Sequence, residues 1–195
     1  MADEPAYIRN FKEFTKGPLT FADLAAFEAE AYAGTDRSLA IMLSSVTENA
    51  LYKYVRFKMR QDLNSDDRSR LFGFDGIVGS FGSKTLMAHA CAWIQADTRA
   101  DLDLIRIIRN GFAHSTKAFD FETVEGEAIC AKLTASDDDS VPIPHGYLSG
   151  VPRERLEAAG NLKHPRTRFV KACHVVAERL LAAASPGEYD GIRAP

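Results

Sequence analysis

The sequence predicts an all-α fold, a single-domain helical bundle of about six to eight helices. Three observations predict it. Apolar residues recur at alternating steps of three and four, most clearly at Leu39, Leu43, Val46, Ala50, Tyr54 and Phe57. Helix-capping residues and glycines punctuate these stretches. A length of 195 residues, 46% hydrophobic and 26% charged, suffices for one packed core without disulfide or cofactor.

Residues 1–18 read as an N-terminal extension ending at Gly17-Pro18. Thr20 then caps a helix, with Asp23 three residues later as an acidic variant of the capping box, and apolar residues run on through Tyr32 before Gly34 stops it. Thr35 or Asp36 caps the clearest helix, expected over 36–60. Its apolar stripe makes it the scaffold, with Glu48, Lys53, Arg56 and Lys58 on a solvated face. Ser65-Asp66-Asp67 caps a short helix through Phe72. A helix over 83–95 follows, starting from Ser80 or Ser83 and carrying Leu86, Met87, Ala90, Trp93 and Ile94. The next, over 98–113, has Leu102, Ile105, Ile108 and Phe112 on one face, with Leu104 and Ile107 widening it. Phe119–Leu133 reads as a helix. Residues 135–152, with three aspartates followed by Pro142, Pro144, Gly146 and Gly150, read as an exposed loop, and Arg153–Ala159 as one or two helical turns. The last helix, over about 166–184, aligns Phe169, Cys173, Val176, Leu180 and Leu181, and 186–195 form a flexible tail.

Several function classes are excluded. A net charge of −3 gives no global attraction to nucleic acid, so any such contact has to be local. No helix pair carries a basic recognition helix, so direct sequence-specific DNA reading is not expected. Gly73, Gly76, Gly79 and Gly82 recur every third residue, yet phenylalanines interleave them and no GKS or GKT follows. The segment is a packed aromatic turn rather than a phosphate loop. Cys91, Cys130 and Cys173 are far apart and read as buried free thiols of a reducing compartment. His89 reads as a core residue, and His145, His164 and His174 share no ligand spacing. The adjacent aspartates 137–139 point apart, so neither a metal nor another cofactor is expected. The N-terminus lacks the apolar core of a signal peptide and no apolar run approaches a bilayer span, which makes the expected location cytoplasmic and away from membranes.

Two motifs carry more. Residues 71–84, Leu-Phe-Gly-Phe-Asp-Gly-Ile-Val-Gly-Ser-Phe-Gly-Ser-Lys, precede residues 103–114, Asp-Leu-Ile-Arg-Ile-Ile-Arg-Asn-Gly-Phe-Ala-His. Their order and spacing, together with Thr35-Asp36-Arg37-Ser38-Leu39-Ala40, resemble the mannitol operon repressor family. The likeness covers 35–120 well and the last helix loosely. The turn departs in reading Ser-Phe-Gly-Ser-Lys where the family carries Ser-Phe-Ser-Ala-Lys, and the following helix departs with His89, Cys91 and Trp93. The resemblance implies an all-helical regulator that controls transcription indirectly, through a protein partner. Ser80, Lys84 and Arg106, polar residues of the two motifs, are candidate binding residues.

Arg109, Asn110 and His114 also resemble the signature of HEPN-type ribonucleases, helical proteins whose dimers bring two such segments together. That resemblance implies metal-independent RNA cleavage at a homodimer interface, or an inactive relative. His114 would act as base or acid, Arg109 would stabilise the phosphorane, and Asn110 would position a phosphate or the imidazole. A structural role stands beside it: Arg109 paired with a carboxylate such as Glu48 or Asp75, Asn110 capping carbonyls, and His114 at a helix C-terminus that favours a cation. Arg109 and His114 are five residues apart, about 140° around a helix, so they converge within one chain only if the helix ends between them, as Gly111 would allow.

Overall fold

The computed structural model describes residues 6, 21–73, 75–150, 153 and 156–184. The expected N-terminal extension, the cap at Thr20 and the 186–195 tail lie outside them. The described residues are all helical, with no strand: α1 (Phe21–Ala33), α2 (Asp36–Lys58), α3 (Ser65–Phe72), α4 (Phe81–Ala90), α5 (Ala96–His114), α6 (Val124–Cys130), a 3-10 turn (Ala135–Asp137), α7 (His145–Gly150), α8 (Leu156–Ala159) and α9 (Pro165–Ala184).

α2 is the scaffold that its apolar stripe predicts. The Thr35 side chain accepts from the Ser38 amide, so the helix begins where its cap is placed, and Leu39, Leu43, Ala50, Leu51, Tyr54 and Val55 are buried along one side. α9 lies along this stripe, and α5 and α4 pack beside it. α9 is buried almost all round, as a central helix has to be: Phe169, Val170, Val175, Val176 and Leu180 are buried, and so are Arg166, Lys171 and Arg179. An aromatic chain, Phe112 to Phe121 to Phe169, with centroids 4.8 and 5.1 Å apart, joins the end of α5 to α9.

Buried polar groups tie distant segments together. Arg166 at the start of α9 pairs with Asp36 at the start of α2 and donates to the Tyr32 carbonyl at 2.8 Å, fixing the α1–α2 corner. Asp101 of α5, 2% exposed, accepts from the Thr134 and Ala135 amides and the Thr134 hydroxyl at 2.8–2.9 Å, holding the 3-10 turn against α5. Burial pushes the Asp101 carboxyl upward despite these bonds. Arg179 of α9 pairs with Asp138, and Arg168 with Asp137 at 2.8 Å. Two of the three consecutive aspartates, Asp137 and Asp138, are thus committed to arginines of α9.

Several local expectations are corrected. α4 stops at Ala90, not near 95. The Trp93 amide bonds the Ala88 carbonyl at 2.8 Å and the Ala92 amide bonds that of His89 at 2.9 Å, a Schellman closure that places Ala92 at φ 54°. Cys91, just past the helix end, and Leu86, on the outer side of α4, face solvent rather than the core. The helix expected over 119–133 is only α6: Thr123 caps it, Phe121 is buried in the preceding turn, and Val124 is exposed. Residues 135–150 are more ordered than their Asp, Pro and Gly content suggests, since Val141 and Tyr147 are buried and Tyr147 packs edge-on against Tyr32 at 5.2 Å. Glu48, expected on a solvated face, is half-buried beside Lys84.

Candidate functional site

The two sequence motifs meet where α4 lies against α5. Ser80 caps α4: its hydroxyl accepts from the Ser83 amide at 3.0 Å while the Ser83 hydroxyl accepts from the Ser80 amide at 3.1 Å, a reciprocal capping box. One turn on, Lys84 is 5% exposed and donates to Glu48 of α2 at 2.8 Å and to the Gly79 carbonyl at 2.9 Å. Lys84 therefore bolts the glycine turn and α4 to the scaffold, and Ser80 closes the helix end. Glycine at 82 leaves room for α5: a Cβ there would meet the Arg106 guanidinium and its stem at 3.5 Å, so Arg106 lies across the α4 backbone. Arg106 also reaches Asp103 one turn back at 3.3 Å and remains partly exposed.

α5 does not end at Gly111. The Ser115 amide bonds the Gly111 carbonyl at 3.1 Å and the helix runs unbroken to His114. Arg109 and His114 thus stay about 140° apart around the axis and do not converge within one chain. Arg109 flanks the buried face and is half-buried. Its Nη1 lies 3.5 Å from Asn110 Oδ1, its Nε is buried without a partner, and it forms no ion pair with another described residue. Glu48 pairs with Lys84 instead, and no bond joins Arg109 to Asp75. Arg106, Asn110 and His114 are spaced by four, so they form one outward row. His114 is exposed in the last helical position, and Ile107 beside the row is 48% exposed.

Two depressions border this helix end. An apolar groove of about 410 Å³ lies between α5 and α6, lined by Ile107, Gly111, Phe119 and Ile129 among others. A cleft of about 570 Å³ lies on the other side, lined by Asp36, Arg37, Phe119, Tyr147, His164 and Arg166 among others. Arg37 closes its floor by donating to the Ser115 and Lys117 carbonyls at 3.0 and 3.2 Å. His164 bridges to Glu122 at 3.3 Å. Sequence reasoning singled out none of Arg37, Glu122 and Arg166. Their partners lie tens of residues away in the chain, and no local spacing marks them.

The thiols divide by environment. Cys130 is buried and desolvation pushes its pKa up to about 12, and Cys173 is raised further, so both behave as apolar core atoms. Cys91 is exposed, contrary to expectation. Among the described residues no three His, Cys, Asp or Glu side chains gather as metal ligands, and no helix is long and apolar enough to cross a membrane.

The fold and this face define an all-helical bundle whose two motif segments form one exposed helix pair. Among solved structures, the X-ray structure of the MtlR-HPr complex from Escherichia coli contains a chain with this fold. The two superpose with a TM-score of 0.55 at 19% identity, over 82% of this chain and 99% of that one. No protein-family profile and no curated protein matches the sequence.

Proposed function

We propose that this chain is a cytoplasmic, single-domain regulatory interaction protein of the mannitol repressor type, acting on transcription indirectly by binding a protein partner. The observation that carries the reading is the shared fold with a chain solved in complex with HPr, a complex of two proteins. The outer α5 face supports it. Ile107 is an exposed apolar anchor within a polar rim of Arg106, Asn110 and His114, the arrangement in which a central anchor contributes most of an interface's affinity. HPr is the first partner to test. Titration calorimetry with HPr from the same host is expected to give binding that Ile107→Glu weakens at least tenfold, about 1.4 kcal/mol or more. Silent titrations with HPr, together with no protein recovered on immobilised wild type that Ile107→Glu fails to recover, would overturn the proposal.

A second reading rests on Arg109, a cation with no carboxylate partner among the described residues, beside Asn110 and five residues before exposed His114. Two copies meeting along α5 would set the Arg109 of one against the His114 of the other, as an HEPN-like metal-independent ribonuclease requires. Incubation with RNA in EDTA separates the readings. Cleavage lost in both Arg109→Ala and His114→Ala selects the ribonuclease, and intact RNA with a folded protein selects the partner-binding regulator.

A further inference from the structure

The end of α2 and the helix folded back on it carry a surface that the α5 face does not explain. Over residues 52–72 the chain holds six basic residues, Lys53, Arg56, Lys58, Arg60, Arg68 and Arg70, against three acidic ones, although its net charge is −3. The acidic side chains are segregated. Asp66 and Asp67 sit in the first turn of α3, where the helix dipole favours them, and Asp62 holds Arg60 through two bonds of 2.6 and 2.8 Å. Lys53, Arg56, Lys58, Arg68 and Arg70 form no ion pair with another described residue. Aromatic rings alternate with these cations. Tyr52 is 37% and Phe57 44% exposed, Tyr52 stands edge-on to Phe72 at 5.3 Å, and the Arg56 guanidinium lies over the Phe72 ring at 5.5 Å.

A purely solvating face has no use for a half-exposed phenylalanine set between two lysines that have no carboxylate partner among the described residues, one of which, Lys58, lies over the Tyr54 ring at 5.4 Å. Helical spacing brings Lys53 next to Phe57 and Tyr52 next to Arg56, so each ring has a cation one turn away on the same side. Rings that accept a stacked base beside cations that follow a phosphate backbone are the two components of sequence-tolerant single-strand binding. An acidic polypeptide would satisfy the cations and leave the ring faces unused. A duplex would present its phosphates with its bases already stacked.

We propose that the α2–α3 hairpin binds single-stranded nucleic acid, with Phe57 stacking a base, Lys53, Arg56, Lys58, Arg68 and Arg70 contacting phosphates, and Tyr52, about 140° from Phe57 around the α2 axis and set against Phe72, outside the stacking surface. The inference is independent of the α5 face and of either reading of it. Fluorescence anisotropy of the full chain tests it with a labelled oligouridylate of about 12 nucleotides, the matching oligothymidylate and a duplex of equal length. Both single strands are expected to bind at least tenfold more tightly than the duplex. With about four phosphate contacts, affinity falls roughly 50-fold between about 50 and 200 mM salt. Phe57→Ala weakens single-strand binding about tenfold with the salt slope unchanged, because it removes stacking and no charge. The pair Lys53→Glu and Lys58→Glu weakens it further and flattens the slope. Lys163→Ala, an exposed cation beside the start of α9 at the other end of α2, leaves binding as in wild type. All substituted side chains are exposed, and circular dichroism confirms folding. Equal or tighter duplex binding, an unchanged Phe57→Ala variant, loss of binding in Lys163→Ala, or equally effective displacement by polyglutamate at matched charge would each overturn the proposal. The last would identify an acidic polypeptide as the occupant.

Discussion

The corner where α1, α2 and α9 meet and the C-terminal end of α5 both contain arginines, and they use them in opposite ways. At the corner, Arg166 is nearly inaccessible and two of its three nitrogens are satisfied, by Asp36 and by backbone carbonyls. At the end of α5, Arg109 is half-buried, its nearest polar contact is its own neighbour Asn110, and it has no carboxylate. The first arrangement is what a buried charge needs in order to be tolerated, and its purpose ends with the fold. The second leaves hydrogen-bonding capacity unspent at the surface, where a ligand or a second chain can take it up. Similar side chains therefore separate into structure and candidate function by the partners around them.

The strongest test of the contrast is Arg166→Ala. It leaves the largely buried Asp36 without its cation and removes the Arg166 bonds to the carbonyls of Tyr32 and Gly34, so urea unfolding is expected to show a loss of about 3–5 kcal/mol. A loss below about 1 kcal/mol would place Arg166 in the same category as Arg109. Asp138→Asn is expected to cost less, about 2 kcal/mol at neutral pH. Bonds from the Ser140 hydroxyl and amide, and then Arg179, hold the Asp138 carboxyl down at about 2, from 3.8 when unperturbed. A carboxylate with a depressed folded pKa adds stability that is complete above its unfolded value and is lost as pH falls toward the folded one. The gap between wild type and Asp138→Asn should therefore be constant from pH 7 down to about 5 and shrink from pH 4 toward 2. Asp101 works against this trend: its folded pKa is raised, so its contribution is greatest at low pH and lost as pH rises through that value. A gap that widens on acidification would contradict the assignment of the Asp138 bonds.

How much of this was legible in the sequence follows the range of each interaction. α2 could be read closely, because a 23-residue helix repeats its apolar signal along its length and Thr35 caps it locally, although Phe57, the last residue of the expected stripe, is 44% exposed. The α4–α5 boundary could not. Trp93 and Ile94 continue the helical spacing, and the chain turns on Ala92, whose φ of 54° only Gly or Asn would have signalled. The expected helix over 119–133 failed for a related reason: Phe121 fits the apolar spacing but is drawn into the aromatic chain from Phe112 to Phe169. At the candidate site the sequence supplied Arg109, Asn110, His114, Arg106, Lys84 and Ser80 from short motifs. It could not tell that Lys84 is consumed by Glu48, 36 positions away, or that α5 continues through Gly111. Pairings across such distances are settled by packing, which leaves no local pattern.

Ala92→Gly relieves a left-handed conformation that costs an L-residue about 1–2 kcal/mol and gives back part of that in unfolded-state entropy, so thermal unfolding should show a gain of roughly 0.5–1 kcal/mol. No gain would mean that the methyl group of Ala92 is itself packed to advantage.

His114→Ala is expected to have the smallest effect of all, within about 0.5 kcal/mol of wild type at pH 7.5. The ring is exposed, makes no hydrogen bond or ion pair with another described residue, and ends a helix whose next amide is already bonded to Gly111. Urea unfolding of wild type and His114→Ala at pH 7.5 checks this. If the two proteins coincide, His114 does nothing for the fold, and its position at the head of the outward row from Arg106 through Asn110 has to be explained by what that row contacts outside the chain.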